Sequence, residues 1–241
     1  MSRLVAAMKT DVTVQVRNNL YAIGVSVGAL IAVAISQLAN PARLSAAIPA
    51  AILLLGGGST MLYVAGMMIF EKEEGTLHAV IVSPLRTSEY LWSKILTLTA
   101  LATLESAVII VGALLIMSRS AAVAWPNIPL LLLGIIAIGV LFTLIGIVLV
   151  VRYNKITDFL VPMTALTSLL QIPFLHFWGV VEHPAFLLIP TSAPTMLMQG
   201  AFVPLTPWEW FYAIGYTTVL LVGLTAWAYR AFETHVVMKI G

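Results

Sequence analysis

Six apolar runs divide the chain, at about 20–39, 47–70, 95–117, 128–151, 159–180 and 209–229. Each comes close to the 20 or so residues that an α-helix needs to cross a hydrocarbon core about 30 Å thick. The breaks between them are polar or proline-bearing: Asn40-Pro41 after the first run, Ser118 to Pro126 after the third, RYNKITD after the fourth and a proline-rich stretch after the fifth. The pattern predicts an all-α polytopic membrane protein with six transmembrane helices. No polar block is long enough to fold alone, so 1–241 reads as one membrane domain.

Composition agrees with the pattern. Of 241 residues, 61% are hydrophobic and 9% charged, against roughly 45–50% and about 25% in a soluble domain. The mean hydropathy is +1.03. There is no cysteine, which removes disulfides, thiolate metal sites and a cysteine nucleophile. The first run starts only at Leu20, behind a polar segment and without a small-residue cleavage site, so it is expected to be a retained span rather than a signal peptide.

Basic residues set the expected orientation, because cytoplasmic flanks retain Lys and Arg. With both termini inside, the inner segments hold Arg3, Lys9, Arg17, Lys72, Arg86, Lys94, Arg152, Lys155, Arg230 and Lys239, and the outer loops hold Arg43 and Arg119. An odd number of spans would place a basic cluster outside. The expected location is therefore the cell (inner, cytoplasmic) membrane, with both termini cytoplasmic.

Residues 1–19 alternate like a strand in DVTVQVR, but Leu4, Met8, Val12 and Val16 also recur every four residues. A lone strand beside a bilayer leaves its backbone unpaired, whereas a helix satisfies its own. An interfacial amphipathic helix is therefore expected, with that apolar stripe in the membrane and Arg3, Lys9 and Arg17 at anionic headgroups.

Between the second and third runs, Phe70 to Lys94 carries seven charged residues. Thr76 can cap a short helix whose Leu77, Val80 and Ile81 share one face, with His78 and Val82 turned elsewhere. Pro84 restrains Ser83 and ends it. Thr87 or Ser88 can then cap a helix running through Tyr90 and Trp92 into the third span. Glu71, Glu73 and Glu74 crowd a helix C-terminus, where the macrodipole disfavours each by roughly 0.3–1 kcal/mol, so an external compensating group is expected. The acids are either a solvated collar or the shoulder of a docking surface.

The segment EKEEGTLHAVIVSPL resembles the cytoplasmic-loop signature of type-2 ABC transporter permeases. Glu71, Lys72, Glu73, Gly75, Thr76, Ser83, Pro84 and Leu85 match it, while His78 stands where such loops often carry a carboxylate. With the N-terminal KTDVTVQVRNNLY, the loop also resembles permeases of fluoroquinolone-type drug export. The resemblance implies six spans behind an amphipathic helix and a cytoplasmic coupling loop over 71–94 that carries a short coupling helix, with Glu74, Leu77 and His78 among the residues that meet an ABC ATP-binding subunit. It also implies short re-entrant helices over 181–208 that close the outer end of the path. A second permease subunit, in a homodimer or heterodimer, would complete that path, and export is the expected direction.

The chain lacks the chemistry of an ATPase. Its nearest approach to a phosphate loop, GGGST at Gly56 to Thr60, has no lysine and lies inside the second run. Those glycines are expected to permit close helix packing. No cofactor is expected on this chain, and ATP and Mg would belong to the separate ATPase. H-E-x-x-H and clustered aspartates are absent, so a membrane-embedded enzyme is disfavoured. No nucleic-acid partner is expected.

Glu105 falls near the middle of the third run, where a carboxylate must be paired, protonated or facing water. It marks either the translocation cavity or dimer interface, or a protonated group bonded to Thr103, Ser106 or a neighbouring helix. Gln171 and His176 in the fifth run pose the same choice. Asp158, beside Arg152 and Lys155, reads as a boundary charge. Pro162 and Pro173 predict kinks.

Beyond the fifth run, Pro184, Pro190, Pro194, Pro204 and Pro207 break an apolar stretch too often for another crossing. Trp178, Trp208, Trp210 and Tyr212 suit an outer aromatic belt. Glu182 and His183, with only His176 nearby, lack a metal-ligand spacing, so no metal site is expected. An ion-coupled secondary transporter using Glu105 is the main rival reading, although the two halves share no repeat. A non-transporting scaffold would explain the loop alone. Met61, Met67, Met68 and Met163 suit an amphiphilic drug or lipid and equally suit ordinary packing.

Overall fold

The computed structural model describes residues 3–40, 43–77, 83–119, 123 and 125–238. The regular elements among these residues are all helical. Six helices are long and apolar enough to cross a membrane, Leu20–Leu38, Leu44–Glu73, Thr87–Met117, Ile128–Val150, Ile156–Phe177 and Pro207–Val237. The chain is a multi-pass membrane protein.

A helix α1 (Arg3–Arg17) precedes the spans, and Asn19, at φ 57°, makes the turn into α2 (Leu20–Leu38). The second span is built from α3 (Leu44–Ala51), a π-helical turn (Ile52–Gly56) and α4 (Gly57–Glu73). Pro49 lies inside α3 and removes one backbone donor just before that turn. Next come α5 (Thr87–Met117), α6 (Ile128–Val150) and α7 (Ile156–Gln171). The fifth span breaks at Ile172-Pro173 and resumes as α8 (Phe174–Phe177), as Pro173 predicted, while Pro162 stays within α7. A 3₁₀ turn (Pro184–Leu188) and α9 (Ser192–Gly200) lead to α10 (Pro207–Phe232), which a π turn (Glu233–Val237) extends.

The centre of the bundle is α6, which packs on α4, α5, α9 and α10. Its sequence is apolar all round, as a helix surrounded by other helices requires. Small residues allow the closest approaches. A Cβ on Gly57 would lie 2.4 Å from the Phe142 ring, and one on Gly134 would lie 2.5 Å from Met198. Of the three glycines expected to permit packing, Gly57 alone does so tightly. A Cβ on Gly56 would reach only Ile52 at 3.8 Å, and one on Gly58 would meet nothing within 4 Å.

The most extensive interface joins α2 to α5. On α2, Gly24, Gly28 and Ala32 are buried at four-residue spacing, which puts one smooth stripe against α5. A Cβ on Gly28 would come 3.1 Å from the Glu105 carbonyl, and one on Gly112 would come 2.8 Å from the Ala32 methyl.

One end of the bundle, the loop face, gathers α1, the end of α4 and the start of α5. The far face gathers α8, α9 and the start of α10. The 31 residues of α5, at 1.5 Å each, reach about 46 Å, well beyond a hydrocarbon core of roughly 30 Å. The helix is therefore longer than a straight crossing needs, and Glu89 and Lys94 lie in its first turns, at the loop face.

Candidate functional site

The signature loop starts where α4 stops. Glu74 N–H donates to Phe70 O at 2.9 Å and Gly75 N–H to Lys72 O at 3.2 Å, with Gly75 at φ +72°. This is a left-handed helix ending that glycine adopts without strain. Thr76 points its hydroxyl back to Glu71 O at 3.2 Å rather than forward as a cap. Helical structure resumes at Thr76 and Leu77, and Leu77 is buried in the main core cluster. Residues 78–82 lie outside the described residues, among them His78, Val80, Ile81 and Val82 of the expected coupling helix; Pro41 and Lys239 lie outside them too.

On the other side of the loop, Ser83 Oγ accepts from Leu85 N–H at 3.2 Å. Exposed Pro84 offers its carbonyl to Arg3 Nη1 at 2.7 Å, which ties the loop to α1. Arg86, rather than Thr87 or Ser88, precedes the first turn of α5, and its N–H donates to Glu89 Oε2 at 2.9 Å. A carboxylate three residues inside the helix thus satisfies the chain entering it.

The acids at the end of α4 part company. Glu73 and Glu74 are exposed. Glu71 turns inward, where it is bonded to Lys94 Nζ and accepts from Tyr90 Oη at 2.7 Å. Lys94 is 1% exposed and also contacts Asp11 Oδ1 of α1 at 2.6 Å, while Ser93 Oγ donates to Asp11 Oδ2. The group that compensates Glu71 is therefore internal, and Lys94 is no solvated boundary charge. Two carboxylates from two elements share one ammonium, and the Tyr90 and Ser93 hydroxyls meet the oxygens that remain.

Lys72 turns the other way. Its ammonium donates to Tyr153 O at 2.8 Å, Val151 O at 3.0 Å and Val150 O at 3.4 Å, capping the end of α6. A cation at a helix C-terminus satisfies orphan carbonyls and opposes the negative end of the macrodipole. The loop thus connects to α1, α5 and α6 at once.

The face of α1 that meets the bundle is polar. Leu4 and Met8 are half-buried, but Val12 and Val16 are exposed and the buried positions are Asp11 and Gln15. At 3.6 residues per turn, a four-residue step drifts about 40° each time, so a stripe drawn through 4, 8, 12 and 16 leaves the face that 4, 8, 11 and 15 hold. Neither polar atom of the Gln15 amide has a hydrogen-bond partner among the described residues. The flank of α1 beside Asp11, at Val14 and Asn18, borders a cleft of about 380 Å³ shared with Glu71, Glu74 and Thr76.

The three candidate residues within the spans occupy separate places. Glu105 is 1% exposed and accepts from Tyr63 Oη at 3.1 Å, not from Thr103 or Ser106. Its Oε1 has no partner among the described residues. Both groups lie under Gly24, where an added Cβ would be 3.3 Å from the Tyr63 oxygen. Gln171 Nε2 donates to Leu54 O in the π-helical turn. His176 sits at the far face between Phe177 and Phe186, with ring centroids 5.4 and 6.0 Å away, and lines a cavity there.

At that face Tyr212 and Tyr216 donate to Leu187 O at 2.5 Å and Leu188 O at 2.7 Å, pinning the 3₁₀ turn to α10. Trp208 and Trp210 are exposed there. His183 Nδ1 accepts from Ala185 N–H at 3.1 Å, which gives that ring a capping role.

A family model described as fluoroquinolones export permease protein family matches residues 2–240. The chain belongs to that family. Two fluoroquinolones export permease proteins of Mycobacterium tuberculosis, from strains CDC 1551 / Oshkosh and ATCC 25618 / H37Rv, are each 31% identical to it over 253 aligned positions. The alignments cover 100% of this chain and 99% of theirs.

In this permease the residues that hold the signature loop are ones the loop signature does not contain, apart from Glu71 and Lys72. Asp11 and Ser93 gave no signal, because a polar residue on an amphipathic helix normally faces water. Tyr63 was likewise silent. The Gly24, Gly28, Ala32 spacing was readable as a small-residue stripe and locates the α2–α5 seam that covers Glu105.

Proposed function

We propose that this chain is the membrane-spanning permease subunit of an ATP-driven ABC exporter, moving a hydrophobic or amphiphilic drug or lipid-like substrate. A separate ABC ATP-binding subunit, carrying ATP and Mg, would dock on the loop face, and a second permease copy or homologue would complete the path. The observation that carries this reading is the way the signature loop is held. Exposed Glu73, Glu74 and Gly75 sit at the surface, while Arg3, Glu71 and Lys72 tie the same segment to α1, α5 and α6. A force applied to such a loop passes into the spans instead of being lost in slack chain. The basic residues gathered at this face support a cytoplasmic position for it and for both termini, in the inner membrane.

Docking residues would be the exposed ones, Thr76 among them, with Glu71, Lys72 and Leu77 shaping the surface from beneath, and with His78, Ser83, Pro84 and Leu85 completing it. The relatives' printed name supports a fluoroquinolone as the first substrate to try. The test is coexpression with a co-encoded ATPase, followed by ATP-dependent fluoroquinolone uptake into inverted vesicles. Glu73→Lys and Glu74→Lys should abolish copurification and uptake while leaving the thermal midpoint unchanged. Copurification that never occurs, or full transport in both variants, would sink the reading.

Burial of Glu105 favours one competitor, an ion-coupled carrier. Uptake driven by a proton gradient without ATP, and lost in Glu105→Gln, would select it.

A further inference from the structure

The far face carries two adjoining cavities of opposite character, separated by one tryptophan. The first is an apolar groove of about 300 Å³ between α2, the π-helical turn and α8, with Ile35, Leu54 and Phe174 among its walls. The second is a polar pocket of about 440 Å³ that holds Arg43, His176, Glu182 and Gln199. Trp178 lines both. Each volume falls in the range that holds a drug-sized molecule.

We infer that these cavities together form a seat for an aromatic zwitterion, with its planar body in the groove against Trp178 and its carboxylate and ammonium at Arg43 and Glu182. This rests on the exporter reading and adds to it the place where such a substrate sits. Charge complementarity selects the head. Among the described residues, Arg43 and Glu182 face the same pocket and neither is within ion-pair distance of an opposite charge. The other pocket carboxylate, Glu209, is engaged in accepting from Thr206 N–H at 2.7 Å and Thr206 Oγ1 at 2.8 Å. A molecule bearing one sign of charge would meet a repelling partner at either Arg43 or Glu182, whereas a zwitterion satisfies both.

Aromatic walls select the body. The Phe174 and Trp178 rings lie 5.4 Å apart at 38°, and a flat ring system fits such a pair with the offset or tilted geometry that aromatic groups prefer. A zwitterionic phospholipid can place an acyl chain in the groove and its head at Arg43 and Glu182, but it offers no flat ring to Phe174 and Trp178.

The test is equilibrium binding to the purified chain in phosphatidylcholine and phosphatidylglycerol nanodiscs, without nucleotide or ATPase. Three probes are compared: radiolabelled norfloxacin, its ethyl ester, and its N-acetylpiperazine derivative. Arg43 and Glu182 are exposed, so their substitution leaves the fold intact. Arg43→Gln should weaken norfloxacin about tenfold and leave the ester unaffected. Glu182→Gln should weaken norfloxacin similarly and leave the acetylated probe unaffected. Trp178→Ala should weaken all three. Absence of saturable binding, or losses that ignore which end of the probe is blocked, overturns the seat and leaves the exporter reading standing. Intact binding without ATP-driven transport does the reverse.

Discussion

Lys94 Nζ lies 2.6 Å from Asp11 Oδ1, joining the third span to the N-terminal helix through a lysine that is 1% exposed. Its second bond, to Glu71, brings in the end of the second span. Removing one partner of a buried ion pair costs about 3–5 kcal/mol, because the other charge is left uncompensated. Lys94→Met strands two carboxylates and should lower the apparent Tm in detergent by at least about 6 °C. Adding Asp11→Asn to that variant should recover part of the loss. A Tm within a degree of the parent would contradict the structure here.

Gly75 needs its conformation rather than its size, since a Cβ there would meet nothing within 4 Å while φ is +72°. Gly75→Ala should therefore cost about 1–2 kcal/mol, and Gly75→Asn less, because Asn tolerates the left-handed region. Urea or thermal unfolding of both variants reads the difference. Equal stability of the Ala variant and the parent would show that the left-handed ending is not held.

Gly57 poses the opposite case, because its added Cβ would lie 2.4 Å from the Phe142 ring. Overpacking of this kind costs about 1–3 kcal/mol. Gly57→Ala should lower Tm, and Phe142→Leu in the same chain should return part of it. A strictly additive double mutant would mean that the two residues do not meet.

Lys72 caps α6 from a neighbouring element, with its closest bond to Tyr153 O at 2.8 Å. Lys72→Met should cost about 1–3 kcal/mol and raise amide hydrogen exchange at Val151, Arg152 and Tyr153, whose N–H groups close the last turns of that helix. Lys72→Arg should restore much of the protection. Unchanged exchange in the Met variant would refute the cap.

Sequence made the spans legible because each rests on one long-range property, a run of apolar residues sized to the bilayer. Observed spans begin or end up to eight residues from the expected limits, as at Thr87 against 95, where a helix outruns its apolar stretch. The seating of α1 was not legible. Its inner face carries Asp11 and Gln15, and the buried Asp11 is met by Ser93 and Lys94, 82 and 83 residues away, which no local periodicity encodes. The π-helical turn at Ile52–Gly56 escaped for a similar reason. It follows Pro49, but the carbonyl it presents is satisfied by Gln171, on another helix.

The separation between Asp11 and Lys94 also orders events at the ribosome. The N-terminal helix is made before the spans, yet the ammonium that neutralises Asp11 is 83 residues downstream. Until the third span has been threaded into the bilayer, Asp11 has no countercharge at its final seat and stays in water, and so does Glu71. Closure of α1 onto the loop face therefore waits for the third span. A nascent chain stalled after two spans would expose two acids that the finished protein hides.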